Sequence, residues 1–564
     1  EKNSTTINFL TMRKRLPTHL FFLLLLLVSN SVLSQQPEYI IGKLMDSKTQ
    51  EPIPFASIRI KDRALGIISN TDGSFKIPLK YQEYGDIIEI SSMGYQTKEI
   101  LIHNFSVYEL NEVRLLPALF ELEETIVRGK KKRRLSANQI VQRAIANIPK
   151  NYPQNLFSTV GYYRDYQLKA NEYVNLNEAI VEVFDSGFSK IDSTTTLVQI
   201  YDYEKNLDFE RDTLSDDPYD YKRSRKIVDN AFLQKYGGNE FSILRVHDAV
   251  RNFKVNSYSF VNRFDVDLLQ NHIFTRDNST SINGEAVYAI TFRKKYLNKF
   301  GKGAPNYSAF GVLYISQGDF AIHKMEYVVY DERKRKSKGT LNRHNGRGQL
   351  LFEVITEYRR NKNKMYLNYI SFHNSFILWE PPKFKIDDIL IDLKYEENVL
   401  LRNGSFKVLY NRTPREEEAV KPENYRVRFN GKRLKLRNVV VFENIVSLWP
   451  DMAREEKNEM LAQLAENVEN PIALNKILSI DVEPIHDIDG NVLNKWEKRD
   501  YIQFREYFVQ QVKPHTHLPA QGKFMNRRKP IFEDQPVVRP GNFDDYWMNT
   551  PLQNIKTKGT SSDN

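Results

Sequence analysis

The stretch Asn70-Thr71-Asp72-Gly73-Ser74-Phe75-Lys76-Ile77 decides the reading of the first domain. Its Asp-Gly pair turns the chain, and the alternation that follows sends Phe75 and Ile77 into one core. Working outward, Gly42-Lys43-Leu44-Met45-Asp46 is a strand that runs into an acidic turn. In Glu51-Pro52-Ile53-Pro54-Phe55-Ala56-Ser57-Ile58-Arg59-Ile60 two prolines hold the chain extended, while Ala56, Ile58 and Ile60 alternate as in a half-buried strand. Ile87 to Ile90 and Ile100 to Ile102 add strands on either side of Ser92-Met93-Gly94-Tyr95. Short strands separated by turn signals, from Glu38 to Pro117, predict an all-β sandwich.

The order G-x-x-x-D, E-P-I-P-x-A-x-I, T-D-G-x-F-x-I and S-x-G-Y resembles the carboxypeptidase-regulatory-like domain, a transthyretin-like sandwich common in cell-envelope proteins of the Bacteroidota. The resemblance covers residues 38–120 of 564 and implies a non-catalytic module. Leu122-Glu123-Glu124-Thr125-Ile126-Val127-Arg128-Gly129 is similar to the L-D-E-V-V-V-x-G segment that follows this domain in TonB-dependent outer-membrane receptors. Thr125 interrupts the valine run, which favours a last strand ending in a linker over a working TonB contact.

The whole chain sets bounds. Its length admits about three domains at ~150 residues each. A hydrophobic share of 41% with 31 Tyr and 33 Phe supports real cores and leans towards β structure. The net charge of +11 is concentrated partly in Lys130-Lys131-Lys132-Arg133-Arg134 and Arg333-Lys334-Arg335-Lys336. Both runs read as solvated faces, and no nucleic-acid recognition motif accompanies them. With no cysteine there is no disulfide framework, thiolate metal site, cysteine nucleophile or acylated lipoprotein cysteine. Met12-Arg13-Lys14-Arg15-Leu16, the apolar Phe21 to Val28, and Val32-Leu33-Ser34 before Gln35 form a secretory signal over 12–34. Its apolar core is shorter than the ~20 residues a spanning helix needs.

After a basic linker at 121–135, Ser136 with Gln139 forms a capping box, and Ile140, Val141, Ala144, Ile145 and Ile148 share one helix face until Pro149. From Phe157 the period changes to 2. Gly161 to Tyr166, Val174 to Phe184, Tyr258 to Val266, Val287 to Phe292, Phe310 to Ile315, Ile322 to Tyr330, Leu350 to Tyr358 and Met365 to Phe372 read as strands of an antiparallel sheet. Asp208 to Tyr221 reads as a solvent-facing acidic insertion. A half-barrel over a helix is similar to the periplasmic lipoprotein carriers in element order and in the hairpin Gly311 to Ile315 with Ala321 to Tyr327. A membrane barrel is disfavoured by charges such as Arg293-Lys294-Lys295 and Glu357-Tyr358-Arg359-Arg360. Pro450 to Asn470 has helical spacing, and Trp496 to Val512 is predicted as a second helix with Tyr501, Phe504, Phe508 and Val512 in line. Beyond Pro514, prolines among Phe524, Phe532, Phe543, Tyr546 and Trp547 describe an extended tail. These aromatics need a covering surface, either the protein's own, which is favoured, or a partner's, with Phe532, Phe543, Tyr546 and Trp547 as contacts.

No catalytic, cofactor-binding or metal-ligating residue is expected. His323-Lys324-Met325-Glu326 spells the H-x-x-E of zinc carboxypeptidases, but an offset of three on a regular strand puts the two side chains on opposite faces. His515-Thr516-His517 lacks a third ligand, and Asp487-Ile488-Asp489-Gly490-Asn491 reads as a turn and not as a calcium loop.

The expected architecture is mainly β, α+β overall: a sandwich at 38–120, a helix-backed antiparallel sheet at 136–440, a helical region at 441–514, and an extended or disordered tail at 515–564. The expected role is non-enzymatic binding or scaffolding by an exported envelope protein at the periplasmic face of the outer membrane. It would be peripheral to the membrane, in a periplasmic or outer-membrane complex, without nucleic acid or cofactor. The alternatives are a carrier of lipid or lipoprotein acyl chains and an envelope hydrolase with an unrecognised site. The signal pattern predicts cleavage between Ser34 and Gln35. Amino-terminal sequencing of envelope protein should find a start near Gln35, and a start at Met12 or earlier would contradict it.

Overall fold

In a computed structural model the chain is described at 38–118, 134–191, 197–216, 226–227, 239–255, 263–294, 307–331, 349–391, 395–396, 399–400, 404–515, 517–519 and 523–552, except 64, 171, 283 and 468. The signal segment with Ser34 and Gln35, the TonB-like Leu122 to Gly129, and the run Arg333 to Lys336 lie outside the described residues.

The Asp72-Gly73 turn is as the sequence predicts. Gly73 has φ +77°, and a Cβ there would stand 2.5 Å from the Leu44 carbonyl oxygen, so both conformation and space require glycine. The turn carries the chain from one sheet to the other, leading into Ser74–Pro78 at the edge of a three-stranded sheet ordered Ser74–Pro78, Tyr39–Asp46, Asn111–Leu115. A four-stranded sheet ordered Leu65–Ile68, Ser57–Ile60, Ile87–Ser91, Lys98–Leu101 completes the sandwich. Ile40, Leu44, Ile58, Phe75, Ile77 and Ile88 fill the core between them.

The capping box of Ser136 and Gln139 is present, and it starts the helix Ala137–Ala146. Pro149 does not end the helical path. It sits near the start of a second short helix, Ile148–Asn151, where its missing N–H costs nothing. These helices back a large antiparallel sheet that does not close into a barrel. From one edge to the other its main path runs Leu197–Lys205, Glu172–Asp185, Phe157–Lys169, Glu497–Pro514, Lys364–Glu380, Gln349–Asn361, Ile322–Asp331, Tyr307–Ser316, Glu285–Lys294, His272–Arg276. Of the strand expected over Tyr258 to Val266, residues 258–262 lie outside the described residues. Its described part, 263–266, is a turn leading into the helix Asp267–Asn271.

The helix predicted from Trp496 to Val512 is the central strand Glu497–Pro514, paired with Phe157–Lys169 on one side and Lys364–Glu380 on the other. Every residue from Tyr501 to Gln510 is buried, because both faces of the sheet are covered. Two-sided burial erases the alternation that marks a strand, and the chance spacing of Tyr501, Phe504 and Phe508 then imitates a helix.

Glu380 and Glu497 are partners in register, so residues 381–496 form a domain inserted between two neighbouring strands. It has its own core, including Phe406, Tyr425, Leu448, Met460, Leu461 and Leu464, the last three from the helix Arg454–Asn467. The boundary drawn at 440 falls inside this core. The acidic stretch from Asp208 also departs from expectation. Phe209 and Asp212 are buried, and Asp212 accepts a hydrogen bond from Tyr501 at 2.7 Å and pairs with Lys169 at 2.9 Å.

The sandwich and the tail are fastened to the main sheet by a fully buried ion pair. Arg164 Nε donates to Glu506 Oε2 at 2.6 Å and its Nη1 donates to Asn70 Oδ1 at 2.6 Å. Asn70 belongs to the sandwich turn and donates to the Asn549 carbonyl of the tail at 3.0 Å. Replacing Gly73 by Val should cost about 1 kcal/mol or more. Urea denaturation of the full chain measures this, and an unchanged midpoint would show that the turn tolerates a side chain.

Candidate functional site

The sandwich lies on the face of the main sheet opposite the helices. Phe55 stacks on Tyr369 with ring centroids 5.3 Å apart, and Val160, Tyr162, Ile180 and Phe508 of the sheet join the sandwich core. Beside this contact the two layers separate into adjoining cavities of about 430 and about 470 Å³, which share Glu89, Arg359, Arg360 and Asn368. The sequence periods explain which side chains face this cleft. Along Gln349–Asn361, Ile355, Glu357 and Arg359 point towards the sandwich, whereas Tyr358 packs among the helices. On the next strand Lys324 faces the cleft and Met325 the helices.

His323 breaks that alternation. The register with Tyr307–Ser316 slips between Tyr314 and Ile315, and the bulge places His323 beside Lys324 on the cleft wall. The expectation that the H-x-x-E pair would occupy opposite faces assumed a regular strand and is corrected by this bulge. The two residues are engaged separately: His323 lies 3.3 Å from Glu285, and Glu326 pairs with Lys324 at 2.6 Å. Among the described residues no group of three or more His, Cys, Asp or Glu is placed to hold a metal.

The cleft is a network of charges. Arg360 pairs with Glu285 at 3.2 Å and with Asp319 at 3.0 Å. Hydrogen bonding from His323, then from Ser316 and Arg360, outweighs burial and holds the Glu285 carboxyl at about 2. Burial raises Glu357, against the opposing pull of Lys324 and the 2.9 Å hydrogen bond from Asn368. Arg59 reaches across from the sandwich and donates to Asn368 Oδ1 at 2.8 Å and to the Gln510 carbonyl at 3.1 Å. Burial, then repulsion from Arg359, pushes the Arg59 guanidinium down to about 9, so it keeps its charge at neutral pH. Arg359 has a long contact, 3.9 Å, to Glu89.

Of the tail residues, Phe532 stacks on Tyr163 in the helix-side core with centroids 6.0 Å apart. Tyr546 packs against Tyr201, and Trp547 Nε1 donates to the Lys76 carbonyl at 2.8 Å. Phe543 is partly buried on the sandwich side of the core. The surface that covers these aromatics is the protein's own. The tail backbone also lines the sheet edge, with Met525 N donating to Val198 O and Val538 N to Ile200 O, both at 2.8 Å. His515 is held by Ser158 Oγ at 2.7 Å. Asp487 closes a turn on the amides of Asp489 and Asn491, as expected.

Sequence reasoning missed Arg59, Glu285, Arg359 and Arg360 as members of one site. The available signal was a cation between Ile58 and Ile60 in an otherwise apolar alternation, together with the charged Glu357 to Arg360 at the end of a buried strand.

A second titratable cluster lies on the helix-covered face. Asp165 is 5% exposed and accepts from Asn177 at 2.8 Å and from Tyr163 at 3.1 Å. Burial, then the nearby Glu240 carboxylate, raises it to about 7, opposed by Arg505, which bonds Glu240 and donates to Asn374.

These features define a β-rich protein in which a small sandwich is built into a large open sheet. Residues 40–127 match the family of the CarboxypepD_reg-like domain, so the sandwich is that domain. No curated protein matches the chain. Two solved structures are similar over part of it. One is a domain described as an outer membrane lipoprotein-sorting protein from Vibrio parahaemolyticus, with 11% identity, 42% of this chain and 86% of that one covered, and a TM-score of 0.22. The other is a DUF1329 family protein from Desulfovibrio piger, with 8% identity, 43% and 87% covered, and a TM-score of 0.18. At these scores neither carries an argument about fold or function.

The folded Asp165 carboxyl, near 7, lies above its unfolded value of about 4. The native state therefore holds the extra proton, and its contribution to stability is full below about pH 4 and lost as pH rises through 7. Asp165→Asn should remove a fall in stability on the order of a few kcal/mol between pH 5 and pH 8. Urea midpoints at the two values check this, and parallel falls in both proteins would contradict it.

Proposed function

We propose that this is a non-enzymatic, exported cell-envelope protein. It scaffolds or binds at the periplasmic face of the outer membrane as an accessory subunit of a larger assembly. The observation that carries the reading is the filled face of the large sheet. Ile140, Ile148, Tyr163, Leu244, Phe352 and Phe372, each no more than 1% exposed, interlock between sheet and helices where a carrier would need space for an acyl chain. The CarboxypepD_reg-like domain adds weight, since it is locked into the body by Arg164 and Asn70 and so extends the scaffold as a rigid part. No helix among the described residues is long and apolar enough to cross a membrane, a statement that does not bear on β-barrels. A hold on the membrane through a partner is part of the proposal.

The test is affinity purification of the tagged full chain from detergent-solubilised envelopes, followed by protein and lipid mass spectrometry. The expected result is a stoichiometric outer-membrane or periplasmic partner. Recovery of the chain alone, carrying one lipid or lipoprotein per molecule, would overturn the scaffold and favour the carrier.

A further inference from the structure

We propose that the cleft between the sandwich and the main sheet binds a small amphipathic anion, its carboxylate or phosphate held between the guanidinium groups of Arg59 and Arg359. The proposal goes beyond the scaffolding reading and does not depend on it.

Charge balance within the cleft is the first argument. The smaller cavity, about 430 Å³, is lined by Arg59, Lys61, Arg63, Arg359 and Arg360 against only Asp62 and Glu89. Three of these cations are already engaged: Lys61 with Glu99 at 2.6 Å, Arg63 with Asp86 at 2.9 Å, and Arg360 with Glu285 and Asp319. Arg59 bonds only to carbonyl oxygens and the Asn368 amide, and Arg359 has the 3.9 Å contact to Glu89. Arg359 repels the Arg59 guanidinium, while Glu357 and Glu89 attract both groups from the cavity wall without a close ion pair to Arg59, so an oxyanion placed between the two arginines adds direct contacts that neither carboxylate makes.

Geometry is the second. The two groups come from different layers, Arg59 from the sandwich and Arg359 from the sheet, so a shared oxyanion would be gripped from two sides. The planar fork of arginine matches carboxylate and phosphate oxygens in pairs. Arg59 is also braced by Asn368 and the Gln510 carbonyl, which limits the ordering needed on binding. The wall is not wholly polar: Leu367, Val509 and Val512 line the same cavity, so an apolar part of the ligand has a surface to lie on. The volume falls in the range of small-molecule sites, ~300–1,000 Å³.

The experiment uses the purified full chain and calorimetric titration with three probes: inorganic phosphate, dodecyl phosphate below its micelle concentration, and dodecyl maltoside as a neutral amphiphile. Dodecyl phosphate should bind saturably and at least about tenfold more tightly than dodecyl maltoside. Arg359→Gln should weaken it at least about tenfold. Arg437→Gln, an exposed site on the inserted domain, should leave it unchanged. Because Arg59 also braces the layers, Arg59→Lys is paired with a melting curve, and weakened binding at unchanged melting temperature is expected. Phosphate that binds as tightly as dodecyl phosphate would overturn the amphipathic ligand, because the alkyl chain would then add nothing, while a clear gain in affinity from the chain supports it. Absence of saturable binding by both anions, equal affinity for dodecyl maltoside, or equal binding by wild type and Arg359→Gln would overturn the proposal. None of these results bears on whether the protein is retained in an envelope assembly.

Discussion

The buried pair of Arg164 and Glu506 is the constraint on which the rest of this structure depends. Both side chains are fully withdrawn from water, and breaking such a pair by removing one partner costs roughly 3–5 kcal/mol, because the other charge is stranded. The protein places the pair where three parts of the chain meet. Arg164 comes from the first strand of the main sheet and Glu506 from the strand beside it, hundreds of residues later. The third hydrogen-bonding partner, Asn70, comes from the sandwich turn and holds the tail in its turn. Tyr166 and Phe508 lie 5.2 and 5.3 Å from the guanidinium and supply ring faces that offset part of its lost hydration. A sandwich attached only by a linker would need none of this.

The same junction explains the shape of the cleft. With the sandwich fixed at Arg164 and stacked through Phe55 on Tyr369, its strands Ser57–Ile60 and Ile87–Ser91 are held beside Gln349–Asn361 with their charged residues facing each other. The main sheet is thus buried on both faces, by helices and the first part of the tail, with Phe532, on one side and by the sandwich and the later part, with Tyr546 and Trp547, on the other. The inserted domain, leaving and returning at Glu380 and Glu497, stays outside that arrangement with a core of its own.

What was legible in the sequence was local. The Asp72-Gly73 turn, the Ser136–Gln139 capping box and the alternating strands of the hairpins depend on residues within a few positions of one another, and each is where the residues place it. What was illegible depended on partners far along the chain. Glu497–Pro514 reads as a helix because its two-sided burial, and hence its lack of alternation, is set by the sandwich and the helices. Asp212 looks like a solvent-facing acid until Tyr501 and Lys169 close on it. The cleft was invisible for the same reason: Arg59 and Arg359 are 300 positions apart in sequence, and only the docking of two layers brings them into one wall. His323 was misplaced by a single bulge, one inserted residue that no period reveals.

Native-state hydrogen exchange on full-length Arg164→Met, compared with wild type, tests the central claim most directly. If the buried pair fastens sandwich, sheet and tail into one unit, the amides of Asn70, Lys76, Trp547 and the strand Glu497–Pro514 lose protection together. The helix Arg454–Asn467 of the inserted domain should keep its own. Wild-type protection at Asn70, Lys76 and Trp547 beside a loosened central strand would contradict the account.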